Sequence, residues 1–224
     1  TTDMLAWYKF DGDFTDSSGN GNNLTNTNCI FNNSSIITNS QCVEFIGTSY
    51  LRQSNTIYCP SQTSICFWGY FTGNGWSQII STQSGATGWL IQISNVNTIR
   101  IFISNNQPDV FTFGAAGFPS YNQWFHFALI LNSITNIHDV YVNGVLVQTY
   151  TYTYTPVTQS LSIGTQLGTP AYYLKNGEKL DDLRIYKRAL TPDEVTTIYN
   201  CSMHYRAFNN NKSLVGWVGE TPTI

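Results

Sequence analysis

The side chains best suited to chemistry in this 224-residue chain are aromatic rings and amides rather than acids and bases. Pyranose rings present apolar C–H faces, so a sugar site needs an exposed aromatic plane with a few amide groups beside it to read hydroxyls. Trp76, in Gly73-Asn74-Gly75-Trp76, lies in a loop and has the best claim to exposure. Tyr150, Tyr152 and Tyr154 alternate with Thr149, Thr151 and Thr153, which puts the three rings on one face of a strand. That ladder reads equally as a stacking platform or as the inner face of a sheet. Asn105 and Asn106 would supply hydrogen bonds nearby. Trp89 follows a glycine but opens a strand and reads as core, as do Trp7, Trp68 and Trp124 among their apolar neighbours. His126 reads as a structural residue, and His138 and His204 have no acidic or nucleophilic neighbour in sequence.

These residues require a strand-rich scaffold. Charged residues make up only 10% of the chain, while Asn, Ser, Thr, Gly and Tyr are abundant, which suits short strands and polar turns. Two alternating apolar runs flank Asn143-Gly144, the dipeptide that supplies the positive φ angles of a two-residue hairpin turn. Ser64–Phe71, Ser77–Ser81, Gly88–Ser94 and Thr98–Ser104 repeat a strand-and-turn rhythm, and Trp124–Asn132 and Leu180–Tyr186 are further strands. Short candidates stand at Leu5–Phe10, Cys29–Phe31, Ser35–Thr38, Cys42–Ile46, Tyr50–Arg52, Val110–Phe113, Gln148–Thr155 and Leu161–Gly164. Thr191-Pro192-Asp193-Glu194 places a hydroxyl at a helix N-cap, proline at the first helical position and glutamate three residues after the cap. A short helix over Thr191–Tyr199 is therefore predicted.

Several motifs in order resemble the laminin-G-like (concanavalin A-like lectin/glucanase) jelly-roll domains. They are Ala6-Trp7-Tyr8-Lys9-Phe10-Asp11-Gly12, Asp16-Ser17-Ser18-Gly19-Asn20-Gly21-Asn22, Ser64-Ile65-Cys66-Phe67-Trp68, Trp124-x-His126-x-Ala128, Tyr141-Val142-Asn143-Gly144 and Asp181-Asp182-Leu183-Arg184-Ile185-Tyr186. The resemblance implies an all-β, two-sheet antiparallel jelly-roll sandwich over residues 1–200, with 201–224 as a C-terminal extension: Ser213–Val218 as an edge strand, or a linker. It also implies that the loop after the first strand meets the late Asp-Asp strand and forms a structural calcium site. Asp11, Asp16, Asp181 and Asp182 are its candidate ligands, with Gly12 or Asn22 as additional donors. Successive strand residues point to opposite faces, so at most one of Asp181 and Asp182 is a direct ligand. The competing reading makes Asp16 a turn former and Asp182 the partner of Arg184 or Arg188.

Catalytic patterns of related folds are missing. The glucanases' Glu-x-Asp-x-x-Glu strand has no counterpart among Glu44, Glu178, Glu194 and Glu220, and the lyases' Gln-x-His motif is absent. The net charge of -3 and the scatter of ten basic residues argue against nucleic acid, and no apolar run is long enough for membrane insertion. Five cysteines allow local disulfides, Cys29 with Cys42 and Cys59 with Cys66, or buried free thiols. Triplets for N-glycosylation at Asn23, Asn32, Asn33, Asn200 and Asn211 favour an extracellular, cell-surface or virion-surface setting. The expectation is a non-catalytic module that binds a glycan or glycoprotein within a larger chain. A structural or protein-interaction domain is the alternative, and a polysaccharide hydrolase or lyase ranks third. A composition rich in Asn, Ile, Tyr and Thr is compatible with an AT-rich genome, a viral one included.

Overall fold

The computed structural model describes residues 3–210, apart from 38–39, 54, 74, 84–86, 105 and 166–171. The strands in chain order are β1 (Met4–Tyr8), β2 (Leu24–Thr27), β3 (Ile30–Asn32), β4 (Cys42–Phe45), β5 (Tyr50–Gln53), β6 (Ile57–Cys59), β7 (Gln62–Tyr70) and β8 (Ser77–Ser81). They continue as β9 (Trp89–Ile93), β10 (Thr98–Ile103), β11 (Asp109–Thr112), β12 (Trp124–Asn132), β13 (Ile137–Val142), β14 (Val145–Thr151), β15 (Val157–Gln159), β16 (Ser162–Ile163) and β17 (Glu178–Tyr186), before α1 (Pro192–Asn210).

Among the described residues the strands form two large antiparallel sheets. The larger runs β14-β13-β12-β7-β17-β4-β3, with β1 also paired to β17, and the smaller runs β11-β10-β9-β8-β16-β5-β2. A two-stranded pair, β15 with β6, stands apart. Alternation drives the stacking. Ile65, Phe67, Phe127 and Leu129 from the larger sheet meet Ile80, Trp89, Ile91, Ile99 and Ile101 from the smaller in one buried cluster. A second cluster lies on the outer side of the larger sheet, where Val195, Ile198 and Leu190 pack on Cys66, Ala128, Ile130 and Tyr141.

Local signals are realised closely. Asn143 and Gly144 both take positive φ, 51° and 77°, as the turn between β13 and β14 requires. The capping box forms with Thr191 N–H donating to Glu194 Oε2 at 2.9 Å and Glu194 N–H to Thr191 Oγ1 at 3.3 Å. The helix then runs past the expected end at Tyr199. Ser35–Ile37 form a loop rather than a strand, and Ser213–Val218 lie outside the described residues.

The cysteine pairings need correction, because Cys29, Cys42, Cys59, Cys66 and Cys201 are all free thiols. Cys42 stands opposite Asn32, three residues from Cys29, a displacement of about 10 Å along the strand that no disulfide spans. Cys59 belongs to the inter-sheet core and Cys66 to the cluster under the helix. Burial pushes each of these four thiols up to about 12, so none is a ready thiolate.

Gly164 ends the short β16 with φ +85°, and a Cβ there would lie 2.7 Å from Phe45 Cδ1. Gly164→Ala is expected to cost about 2 kcal/mol through this clash and the left-handed backbone. Urea denaturation checks this; an unchanged midpoint would show that the two sheets are not packed this tightly there.

Candidate functional site

The last strand, β17, changes neighbours at its aspartates. Residues Glu178–Leu180 of β17 pair with β4, whereas Leu183–Tyr186 pair with β1. The register against β7 slips between Asp181 and Arg184, and Asp182 takes φ 47° at that irregularity. Trp7 closes the seam. Its indole N–H donates to Asp182 Oδ1 at 2.7 Å, its backbone N–H donates to Asp16 Oδ1 at 3.0 Å, and the Arg184 guanidinium lies 4.9 Å from its ring centroid. Arg184 holds Asp182 through two bonds of 2.9 Å, a fork geometry that strengthens a charged pair.

The four candidate calcium ligands therefore divide. Asp16 accepts amides from Trp7, Ser18 and Asn22, so its oxygens organise the loop. Asp182 is engaged by Trp7 and Arg184. Asp181, fully buried, accepts from Ser35 Oγ at 2.5 Å through Oδ2, while Oδ1 has no partner. Asp11 is exposed and accepts from Ser40 Oγ and from the Gln41 amide. Burial raises the Asp181 carboxyl well above the usual carboxylate range, and the charges of Asp182 and Asp11 raise it further. The first loop and β17 do meet: Trp7 bridges Asp16 and Asp182, and the Asp11 charge is felt at Asp181. No group of three or more His, Cys, Asp or Glu side chains suited to a metal occurs among the described residues. Oxygen ligation would draw on the Ser35 and Ser40 hydroxyls as well.

A cleft of about 620 Å³ opens at the other candidate position, lined by Gly47, Trp76, Tyr172, Tyr173, Lys175 and Asn176 among others. The Trp76 and Tyr172 rings stand 6.4 Å apart at 58°, and Arg100 lies 5.5 Å from the Trp76 ring centroid. Two tethers shape it. Gly47 N–H donates to Asn176 Oδ1 at 2.5 Å, and Gln78 N–H donates to the Tyr172 carbonyl at 2.7 Å. Beneath it the buried Glu178 accepts the amides of Lys175 at 2.7 Å and Thr72 at 3.4 Å, clasping the segments that carry Lys175 and Trp76. Burial pushes the Glu178 carboxyl up to about 7 despite those amides.

The tyrosine ladder is only partly available. Tyr150 and Tyr152 stack at 5.8 Å and are half-buried, with the Tyr150 hydroxyl donating to the Asp109 carbonyl. Tyr154 is 2% exposed, its hydroxyl 3.4 Å from the Cys59 carbonyl, and is a core residue rather than a ligand contact. The strand ends at Thr151, so the alternation that aligned Tyr154 with the other two stops before reaching it. Asn106 turns its amide back to the Ile103 carbonyl, and Asn105 lies outside the described residues. His126 is buried against Trp68 and Tyr199, and burial lowers it to about 3. Glu44 pairs with Lys179 while Glu178 pairs with Phe45, so the two glutamates face opposite sides of the sheet.

Sequence reading missed Tyr172, Tyr173, Lys175 and Asn176. Nothing periodic marks that segment, and only the folded chain brings it beside Trp76.

With this geometry, residues 45–196 match the family model described as the concanavalin A-like lectin/glucanases superfamily, and the chain belongs to that family. Similar solved structures include domain 4 of an extracellular arabinanase from Geobacillus stearothermophilus in complex with arabinotriose (21% identity, TM-score 0.67, covering 88% of this chain and 98% of that one). Others are the botulinum neurotoxin serotype D binding domain (15%, TM-score 0.68, covering 89% and 52%) and the binding domain of Paraclostridial mosquitocidal protein 1 (17%, TM-score 0.71, covering 89% and 52%). The chain thus spans about half the length of these toxin domains. No curated protein matches it.

Glu178 gives the site a pH signature. Its proton is held up to about pH 7 in the fold and, with an ordinary value of 4.5, is lost earlier in the unfolded chain. The associated stabilisation is full below about pH 4.5 and is lost as pH rises through about 7. His126 and His138, both lowered, act with the opposite sign below about pH 6.5, so the comparison is made against a variant. Relative to Glu178→Gln, the wild type is expected to lose roughly 2 to 3 kcal/mol between pH 5 and pH 8. Urea titrations at both pH values read this, and a pH-independent difference would refute it.

Proposed function

We propose that the protein is a non-catalytic carbohydrate-binding module of a secreted or surface protein, and that its sugar site is the cleft around Trp76. The observation that carries this reading is the convergence of three aromatic rings, Trp76, Tyr172 and Tyr173, with the Asn176 amide and the Lys175 ammonium on one cleft. Apolar ring faces and a few fixed polar groups are what a sugar needs from a site of this size. The arabinanase domain bound to arabinotriose and the toxin binding domains lend support, since domains of this shape serve recognition in those proteins. The non-catalytic reading rests on Glu44 and Glu178 facing opposite ways, since glycoside hydrolysis needs two carboxyl groups flanking one bond. Residues 1–200 make up the module in this reading, with the helix carrying it on to Asn210.

We also propose a structural calcium held by Asp181 and Asp11. The cation would neutralise a buried carboxylate that has one unpartnered oxygen and tie the segment from Ser35 to Gln41 to the seam of the larger sheet.

A specific observation favours a second reading, a protein-interaction domain: edge strand β14 and its neighbour expose Val145, Leu146 and Ile137. Carbohydrate recognition takes precedence because the cleft is concave and that edge is not.

Two experiments test these readings. Trp76→Ala is expected to abolish calorimetrically detectable binding to glycans that the wild type retains, with an unchanged thermal midpoint; undiminished binding would remove the cleft from the account. Calcium at about a hundred times its dissociation constant is expected to stabilise the wild type by about 2.7 kcal/mol and Asp181→Asn by far less. Equal shifts in both proteins would place the cation elsewhere.

A further inference from the structure

The Trp76 cleft does not end at its own rim. Tyr173, on its wall, lies 6.4 Å from Tyr50, and Tyr50 lines a second cleft of about 330 Å³ with Thr25, Thr27, Arg52 and Ser160. Arg52 lies 5.2 Å from the Tyr50 ring centroid. Leu51 belongs to the inter-sheet core, so Tyr50 and Arg52 face outward, as do their cross-strand partners Thr27 and Thr25. At the far side Arg100, outward between the core residues Ile99 and Ile101, covers Trp76. The rings Tyr50 on β5, Tyr173, Tyr172 and Trp76 just before β8 thus lie between Thr25 and Thr27 on β2 and Arg100 on β10. Those two ends of the line are five strand intervals apart in the smaller sheet, about 24 Å.

Charge along this line is one-sided. The chain as a whole is net negative, with 13 acidic and 10 basic residues. Lys175 and Arg52 nevertheless line the two clefts, and among the described residues no carboxylate lines either. Arg100, which flanks them, pairs with Asp109 at 2.7 Å. The Lys175 ammonium stands beside Gly75, where a Cβ would come within 3.6 Å of it. Neutral sugar would need no such bias, whereas carboxylate or sulfate groups repeated along a chain would find a cation in each cleft.

We infer that the two clefts are subsites of a single groove that takes a linear acidic glycan along its length, rather than a terminal neutral sugar. This rests on the carbohydrate reading above and adds length and charge to it. The Tyr50–Tyr173 pair forms the shared wall, with the Thr25, Thr27 and Ser160 hydroxyls reading one half of the chain and Asn176 the other.

The probes are hyaluronan fragments from disaccharide to octasaccharide, matched chondroitin sulfate fragments, and neutral arabino-oligosaccharides of the same lengths, titrated calorimetrically into the full chain. Affinity for at least one acidic series is expected to rise by about tenfold or more from disaccharide to octasaccharide and to fall with added salt. Tyr50→Ala is expected to weaken the octasaccharide about tenfold and the disaccharide less than about twofold, and Lys175→Gln, at an exposed position, to weaken acidic fragments selectively. Thermal midpoints establish that both variants fold. Length-independent affinity, or an octasaccharide indifferent to Tyr50→Ala, would overturn the single groove while leaving the Trp76 site intact. Neutral fragments binding as well as acidic ones would overturn the charge preference. Failure of every fragment to bind would remove both this inference and the carbohydrate reading.

Discussion

The join between the first strand and the last is the constraint on which the larger sheet depends. β17 must serve two partners on one side, β4 and then β1, and the change occurs where Asp182 adopts a left-handed backbone. That conformation costs an ordinary residue about 1 to 3 kcal/mol. It is over-determined here by the Trp7 indole, the Arg184 fork and the loop that Asp16 gathers under the Trp7 amide. Burying a charged pair is only marginally favourable, but removing one member strands the other and costs about 3 to 5 kcal/mol. The Asp182–Arg184 pair therefore fixes a register more than it adds stability. It also leaves Asp181 on the opposite side of the irregularity, buried under Ser35 with an oxygen unmatched.

In the proposed carbohydrate reading, the smaller sheet relies on that rigidity. Its strands present Tyr50, Arg52 and Arg100 outward because Leu51, Ile99 and Ile101 are claimed by the core. The segment 172–176 then crosses from β16 towards β17, and its end is fixed by Glu178 at the start of the strand that the seam holds. Rings on a fixed sheet lose little freedom on binding, the usual route to affinity for a flexible ligand. Glu178 is a buried acid whose two backbone partners hold the site's segments together, so the site's architecture and the protein's pH response share one side chain.

Legibility in the sequence followed the range of the forces involved. The Asn143-Gly144 turn and the Thr191–Glu194 cap depend on neighbours within a few residues, and both appear in the structure as read. Trp124–Asn132 was equally plain because a near-continuous apolar run of strand length, ended by Asn132, suits a strand buried on both faces. Trp124 and Trp7 proved half-buried, with Trp7 beside the Lys9 and Arg184 cations and Trp124 bonded to the Ser34 carbonyl. Tyr154 was misplaced because alternation was extended past the end of a strand. The first loop and the strand of Asp181 and Asp182 lie together as the resemblance implied, but the hydrogen bonds that Ser35 and Trp7 give these carboxylates come from far away in sequence and could not be read from it. Tyr172 and Tyr173 were invisible for the same reason: their only signal is their position in the fold.

In the proposed function, recognition happens on the outer side of the smaller sheet at Trp76. Its most direct test is nuclear magnetic resonance of the tryptophan indole N–H groups in nitrogen-15-labelled protein, recorded with and without an acidic octasaccharide. The account predicts that the Trp76 resonance moves with ligand concentration while those of the buried Trp68 and Trp89 and of Trp7 at the seam stay in place. A shift confined to Trp7 or Trp124, on the other sheet, would contradict it.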